Sequence, residues 1–284
     1  MSFSQLRPLS IGEVLDGAFT IYRRQFASLF LTALVPQIPM IAALALYYAF
    51  LGSIATSSAA NSEPSTATLV MIGIAAVILI PAAIIGSATA VGAVTFQTAR
   101  AYTGAPVTTR EAIQRGLNRS LPLVGAYMVV GILAFFGLFA FIVGAFVVML
   151  AAFAVAPAVV LERRGPVEAM SRSWALVKGA WGEVFLVAFL AYMIAALPGM
   201  AVGMITTVGG LVLAGGNADA DTFMAAQAEG QVLSQLTRTL TIPFSIGTTV
   251  LLYYDRRVRT EALDVQMMAE SLPAAPAPAA PGWG

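Results

Sequence analysis

One long uncharged run constrains this chain more than any other feature. Residues 121–161 contain no charged side chain. As one helix, roughly 40 residues would measure about 60 Å, whereas the hydrocarbon core of a bilayer is only about 30 Å thick. The run therefore predicts two membrane-spanning helices that fold back on each other, with the turn near Gly137–Gly144.

Four other apolar segments are long enough to cross a bilayer, which takes about 20 helical residues. The chain is 59% hydrophobic and 10% charged, against about 25% charged residues in soluble domains. This composition predicts an all-α, polytopic membrane protein with a single domain, residues 1–271, and a disordered Ala/Pro-rich tail, residues 272–284. We place six spans at about 27–51, 68–99, 121–138, 141–161, 181–213 and 232–254.

The basic residues predict the side of each loop. With six spans the loops alternate between two sides, and 14 of the 15 basic residues fall on one side, which the positive-inside rule makes cytoplasmic. We therefore expect a cytoplasmic (inner) membrane protein with both termini in the cytoplasm. A single span over residues 121–161 would place part of this charge outside, so we reject it. Only Arg238 lies on the other side; the 14 are Arg7, Arg23, Arg24, Arg100, Arg110, Arg115, Arg119, Arg163, Arg164, Arg172, Lys178, Arg256, Arg257 and Arg259.

Three short segments that precede pairs of spans share a pattern. Ser10, Thr108 and Gly165 are predicted N-caps, and each is followed three residues later by a glutamate, which is the spacing of a capping box. The pattern predicts three cytoplasmic amphipathic helices in the membrane interface and favours a threefold repeat of such a helix plus a helical hairpin. Five and six residues after each glutamate come a small and a large apolar residue: Ala18 and Phe19, Gly116 and Leu117, Ser173 and Trp174.

Several kinds of chemistry are excluded by the residues that the chain lacks. It has no His and no Cys, which removes disulfides, thiol nucleophiles, zinc sites built on these residues and the base of a hydrolytic triad. No phosphate-binding glycine-rich loop or dinucleotide fingerprint occurs. No carboxylate lies in the middle of a predicted span, where proton coupling would need one. We expect no enzyme activity, cofactor, metal site or nucleic-acid partner.

Six residues are candidates for contacts with a partner protein or with lipid headgroups. Basic side chains on the repeated helices attract anionic headgroups by about 1 kcal/mol each, although the same charges also serve simply to set topology. Arg238 lies about two turns into the last span. It is interpreted either as a snorkelling arginine paired with Asp219, Asp221 or Glu229, or as a contact for an anion or headgroup. The six are Arg115, Arg119, Arg172, Trp174, Lys178 and Arg238.

Three stretches resemble a known prokaryotic family. They are residues 6–17 (LRPLSIGEVLDG, followed by Tyr22-Arg23-Arg24), 168–179 (EAMSRSWALVKG) and 250–264 (VLLYYDRRVRTEALD). They are similar to the membrane domain family named after glycerophosphoryl diester phosphodiesterases. The chain departs from that pattern at Arg256, where Leu is expected, and at residues 262–263, where Gly-Phe is expected. The resemblance implies a stand-alone membrane module without the catalytic barrel, so no catalytic residue transfers.

These features predict a non-catalytic membrane module that scaffolds or anchors partner proteins through its three cytoplasmic helices. Its partners would be membrane lipids and a membrane or cytoplasmic protein. The alternative is passive movement of lipid or a small solute, because discontinuous helices form transporter sites, although prolines in spans are also tolerated as kinks. Prolines within predicted spans include Pro36, Pro39, Pro81, Pro157, Pro198 and Pro243.

Overall fold

Every regular element in the described part of the chain is a helix. The structure, a computed structural model, describes residues 7–59, 65–139, 141–213 and 220–262; the predicted tail, residues 272–284, lies outside them. The helices within these ranges are α1 (Ile11–Arg24), α2 (Phe26–Ala59), α3 (Thr66–Tyr102), α4 (Thr109–Phe139), α5 (Phe141–Ala151), α6 (Val155–Val160), α7 (Pro166–Val177), α8 (Trp181–Leu213) and α9 (Ala220–Glu261).

Five segments of the described chain are long and apolar enough to cross a membrane, which makes this a multi-pass membrane protein. They match the first five predicted spans. The predicted sixth span, 232–254, lies within α9, which is less apolar and falls below that threshold. The five are Phe26–Ile54, Thr66–Tyr102, Thr109–Phe139, Ile142–Val160 and Trp181–Gly210.

The predicted fold-back of the long uncharged run is confirmed. Helix α4 ends at Phe139 and α5 begins at Phe141. A Cβ added to Gly137 would lie 2.7 Å from the backbone of both Gly144 and Ala145. The two helices therefore return on each other inside the predicted interval, and a residue without a side chain is needed where they approach.

The second of the three predicted short helices is not a separate element. Residues 109–139 form one continuous helix, α4, that runs through Pro122 into the third span. Proline is tolerated inside such a helix when neighbouring groups satisfy the carbonyl that it frees. The first and third short helices, α1 and α7, are separate from the spans that follow them.

Helix α9 packs against four other helices, α8, α2, α3 and α1. It runs antiparallel to α8, because Arg256 approaches Glu183 at one end and Gly230 approaches Thr206 at the other. Between these two contacts the paired helices are about 35 Å long, which is slightly more than the thickness of a bilayer core.

Helix α1 lies along α9 rather than across it. The backbone N–H of Leu9 donates to Asp255 at one end, and the hydroxyl of Tyr22 donates to the carbonyl of Leu240 at the other. Between them Gly17 packs against Leu251. A helix in the membrane plane would run across the spans. If α9 is a span, α1 runs along it through the membrane instead, so the predicted in-plane position of this helix and the predicted sixth span do not fit together.

Two glycines lie where neighbouring helices approach so closely that a side chain would not fit. A Cβ on Gly86 of α3 would lie 2.0 Å from the carbonyl oxygen of Pro36 in α2. A Cβ on Gly116 of α4 would lie 2.4 Å from the carbonyl oxygen of Thr89 in α3. Small residues at such crossings let helix backbones approach closely in membrane bundles.

The Gly86 contact predicts a stability difference between two substitutions in α3. Gly86→Ala should destabilise the protein by about 1–3 kcal/mol, because the new methyl group overlaps the α2 backbone. Gly73→Ala is the control, since nothing lies within 4 Å of its Cβ position and alanine favours helix. Thermal unfolding in detergent measures both. Equal melting temperatures for the two variants would contradict the packing.

Candidate functional site

The three stretches that carry the resemblance meet at one end of the bundle. The start of α1, the loop between α6 and α7, the start of α8 and the end of α9 are joined there by ion pairs and hydrogen bonds. We call this group the charged cluster. Its members are Glu162, Arg164, Arg172, Glu183, Tyr253, Asp255, Arg256, Arg257, Arg259 and Glu261.

Glu162 accepts hydrogen bonds from three side chains. Tyr253 donates its hydroxyl at 2.7 Å, and Arg164 and Arg172 donate through Nε at 2.5 and 2.9 Å. Burial alone would raise the pKa of Glu162, but these hydrogen bonds outweigh it and hold the pKa below its usual value. Glu162 directly follows the fourth predicted span, so these hydrogen bonds fix the end of that span to the end of α9.

Arg172 bridges α7 to both neighbours. Its guanidinium forms ion pairs with Glu162 and with Glu261 of α9, and its side chain is 15% exposed. Arg257 pairs with the same Glu261 at 2.9 Å. The hydrogen bond from Arg172 is the main cause of the lowered pKa of Glu261, while partial burial opposes it.

Asp255 joins the two ends of the described chain. Its fully buried carboxylate accepts the backbone N–H of Leu9 at 2.7 Å and Nε of Arg259 at 2.9 Å. Arg259 also donates to the carbonyl of Leu9 at 2.6 Å. The adjacent Arg256 is buried and donates to the carbonyl of Leu176 at 3.1 Å. Arg256 is one of the two places where the chain departs from the pattern of the family that it resembles.

Each carboxylate of the charged cluster is paired with at least one arginine. Charge-assisted hydrogen bonds of this kind are strong and directional. The geometry therefore fits a structural clamp. Of this cluster, only Arg172 was predicted from the sequence as a candidate residue. The Tyr-Tyr-Asp-Arg-Arg run could have indicated the cluster residues that lie in α9.

The predicted capping role of the repeated glutamates is confirmed for Glu13 and Glu168, whereas at the second segment only the N-cap residue Thr108 makes its capping hydrogen bond. Ser10 and Glu13 exchange both hydrogen bonds of a capping box. Thr108 accepts the N–H of Glu111, and Glu168 accepts the N–H of Gly165. Glu13 is also exposed and paired with Arg7, whose hydrogen bond is the main reason that the pKa of Glu13 is lowered to about 2.

The three repeated segments place equivalent residues in equivalent environments. The residue after each glutamate is buried, as is the small residue five positions after it. The large apolar residue at the sixth position is exposed in all three: Phe19 by 50%, Leu117 by 54% and Trp174 by 43%. The pattern found in the sequence thus corresponds to a shared burial pattern in the structure.

The buried small residues contact different neighbours. Ala18 lies beside Gly247 of α9, and Gly116 packs against α3. Ser173 donates to the carbonyl of Ala151 at 2.5 Å and accepts the N–H of Ala154 at 2.9 Å. Its hydroxyl therefore bridges the break between α5 and α6.

The structure divides the candidate contact residues of the repeated helices into two groups. Arg172 is held inside the charged cluster, so it is not available as a surface contact. The other four are at least partly exposed. Trp174 packs edge-on against Trp181, with 5.4 Å between ring centroids. Arg115 lies over the ring of Phe96 at 5.3 Å; Lys178 and Arg119 are exposed and half-buried, respectively.

Arg238 lines a cavity of about 340 Å³ between α8 and α9. Its side chain is exposed and makes no ion pair with Glu229, so the predicted pairing with an acidic residue stays a prediction for Asp219 and Asp221. Asp219 and the side chain of Asp221 lie outside the described residues. The cavity is lined by Tyr192, Ala195, Ala196, Gly199, Met200, Ser234, Arg238, Thr241, Ile242 and Ser245.

No protein family model, no curated protein and no solved structure matches this chain. The resemblance to the membrane domain family named above therefore stays a prediction.

Acidification is expected to weaken the charged cluster. The pKa values of Glu162 and Glu261 lie below the ordinary value of 4.5. Their ionised forms therefore stabilise the folded state above that pH, and this stabilisation is lost as the pH falls through the lowered pKa values. The melting temperature in detergent should stay level between about pH 7 and pH 5 and fall below about pH 4.

Arg172→Gln tests the cause of this decline, because it removes an arginine that both carboxylates share. The variant should melt lower at neutral pH and show a shallower acid decline. Arg119→Gln is the matched control, with the same change of charge outside the cluster. An unchanged acid profile in Arg172→Gln would contradict the assignment.

Proposed function

We propose that the chain crosses a cytoplasmic membrane six times, with both termini in the cytoplasm. The antiparallel packing of α9 on α8 supports a sixth span: if α8 crosses the membrane, α9 returns across it. Its lower hydropathy is compatible with this, because buried residues such as Thr239 and Thr248 are shielded from lipid by neighbouring helices. The basic residues around the charged cluster would mark the cytoplasmic side.

Within that topology the protein would act as a non-catalytic module that binds partner proteins at its cytoplasmic face. The observation that carries this proposal is the exposure of Leu117 and Trp174. Each follows a buried small residue, so the same register presents a large apolar side chain twice. Phe19 has the same register but packs edge-on against Phe244 of α9, inside the proposed sixth span. Exposed aromatic and apolar anchors beside polar residues are typical of protein interfaces.

The charged cluster supports the same proposal by fixing one of these helices. Arg172 holds α7 to α9, while Trp174 of the same helix and Lys178 at its C-cap remain exposed. A rigid helix loses less conformational freedom on binding and so gives a better docking surface.

The proposal predicts that a partner is lost when Trp174 and Lys178 are both replaced by Ala. An aromatic anchor contributes about 2 kcal/mol or more to an interface, so recovery of a stoichiometric partner should fall by about tenfold or more. Purification in mild detergent with quantitative mass spectrometry measures that recovery. Arg172 is left unchanged so that the charged cluster stays intact.

Phe136→Ala is the control for this experiment. Phe136 is 64% exposed, but it lies near the turn between α4 and α5, far along the chain from α7. Both variants should melt like the parent protein. A partner that is retained in the double variant, or lost equally in Phe136→Ala, would contradict docking at α7.

Passive movement of lipid or a small solute is the second candidate. It is favoured by the cavity at Arg238 and by four buried polar atoms without a partner among the described residues: Thr32 Oγ1, Thr95 Oγ1, Gln97 Oε1 and Thr98 Oγ1. Unpaired polar groups are costly in a bundle core. Flux from reconstituted liposomes no greater than from empty ones would remove this candidate.

A further inference from the structure

The cavity between α8 and α9 combines one cation with several hydroxyl groups. Arg238 lies beside Ser234, Thr241 and Ser245 of the same helix, and Tyr192 faces them from α8. Ser234 and Ser245 offer hydroxyls that can both donate and accept hydrogen bonds. Such a lining suits a ligand with several oxygen acceptors.

The charge of Arg238 calls for an anion. Among the side chains that the structure describes, no carboxylate lies within ion-pair distance of it. An arginine next to an apolar span is unfavourable without a partner. A phosphate satisfies it well, because the planar guanidinium can donate two parallel hydrogen bonds to phosphate oxygens.

Gly199 keeps the cavity open because it has no side chain. The Cβ position of Gly199 lies 3.6 Å from Cγ of Arg238, so a larger residue there would fill the space beside the arginine stem. The remaining wall is apolar, from Ala195, Ala196 and Met200. The site therefore offers a polar end for a headgroup and an apolar side for the glycerol and acyl part of a lipid.

The depth of Arg238 also fits a headgroup. Fifteen residues of α9 separate it from Tyr253 of the charged cluster, which is about 22 Å of helix. On the proposed topology, the clamp lies at the cytoplasmic surface of a core about 30 Å thick. Arg238 then lies within snorkelling distance of the headgroups of the opposite leaflet. On the same topology α1 extends into the membrane beside α9, because Tyr22 donates to the carbonyl of Leu240, and Arg23 and Arg24 lie away from the cytoplasmic surface where they were predicted.

We propose that the cavity between α8 and α9 binds the phosphate of an anionic phospholipid through Arg238, with hydroxyls of α9 as further hydrogen-bond partners. The placement in the outer leaflet depends on the proposed topology. Binding itself does not, because it can be measured on the protein in detergent.

Native mass spectrometry of the full chain in an uncharged detergent tests this site. The probes are dioleoyl phosphatidylglycerol, dioleoylglycerol, which lacks the phosphate, and inorganic phosphate. The parent protein should retain phosphatidylglycerol and not dioleoylglycerol. Inorganic phosphate that binds as well as the lipid, and displaces it, would overturn a lipid in favour of a free anion.

Three variants test whether the lipid binds in this cavity. Arg238→Gln should weaken phosphatidylglycerol binding by about tenfold, which corresponds to about 1.4 kcal/mol, and Arg238→Lys should restore part of it. Gly199→Leu keeps the charge and fills the cavity, so it should weaken binding similarly. Arg110→Gln, which removes an exposed arginine at the start of α4, should bind like the parent.

Equal lipid retention in Arg238→Gln and Arg110→Gln would overturn the proposal. Melting temperatures and gel-filtration profiles confirm that each variant is folded before its binding is compared. The Trp174→Ala, Lys178→Ala variant should retain the lipid, so loss of a protein partner and loss of the lipid site can be told apart.

Discussion

The buried carboxylate of Asp255 holds the beginning of the described chain to its end, and the rest of the arrangement depends on that contact. It accepts the N–H of Leu9 and pairs with Arg259. An ionised carboxylate without partners would be very unfavourable in a buried position. The pairing therefore fixes the register of α1 along α9.

The three repeated segments have the same local sequence pattern but pack against different parts of the structure. A small residue faces α9 at Ala18, α3 at Gly116 and the α5–α6 break at Ser173. In each case the next residue is large, apolar and exposed. The common element is the spacing from a capping glutamate. The threefold repeat itself stays a prediction, because the three segments contact different neighbours and the second is part of a longer helix.

Length and hydropathy were enough to predict the helical class, five apolar spans and the turn after α4. The continuity of α4 was missed because tolerance of Pro122 depends on neighbouring helices. The charged cluster was missed for a similar reason: positive-inside topology already accounted for Arg172, and its pairing with Glu261 joins residues distant in sequence. Arg238 stood out because a basic residue inside a predicted span is rare.

The most direct test of the account is which side of the membrane each end of the bundle faces. The native chain has no cysteine, so single cysteines can be placed at exposed positions Gly12, Thr66 and Thr260. A membrane-impermeant maleimide applied to intact cells should label position 66 alone, and positions 12 and 260 only after permeabilisation. Labelling of position 260 together with 66 in intact cells would contradict a sixth span and the common cytoplasmic face.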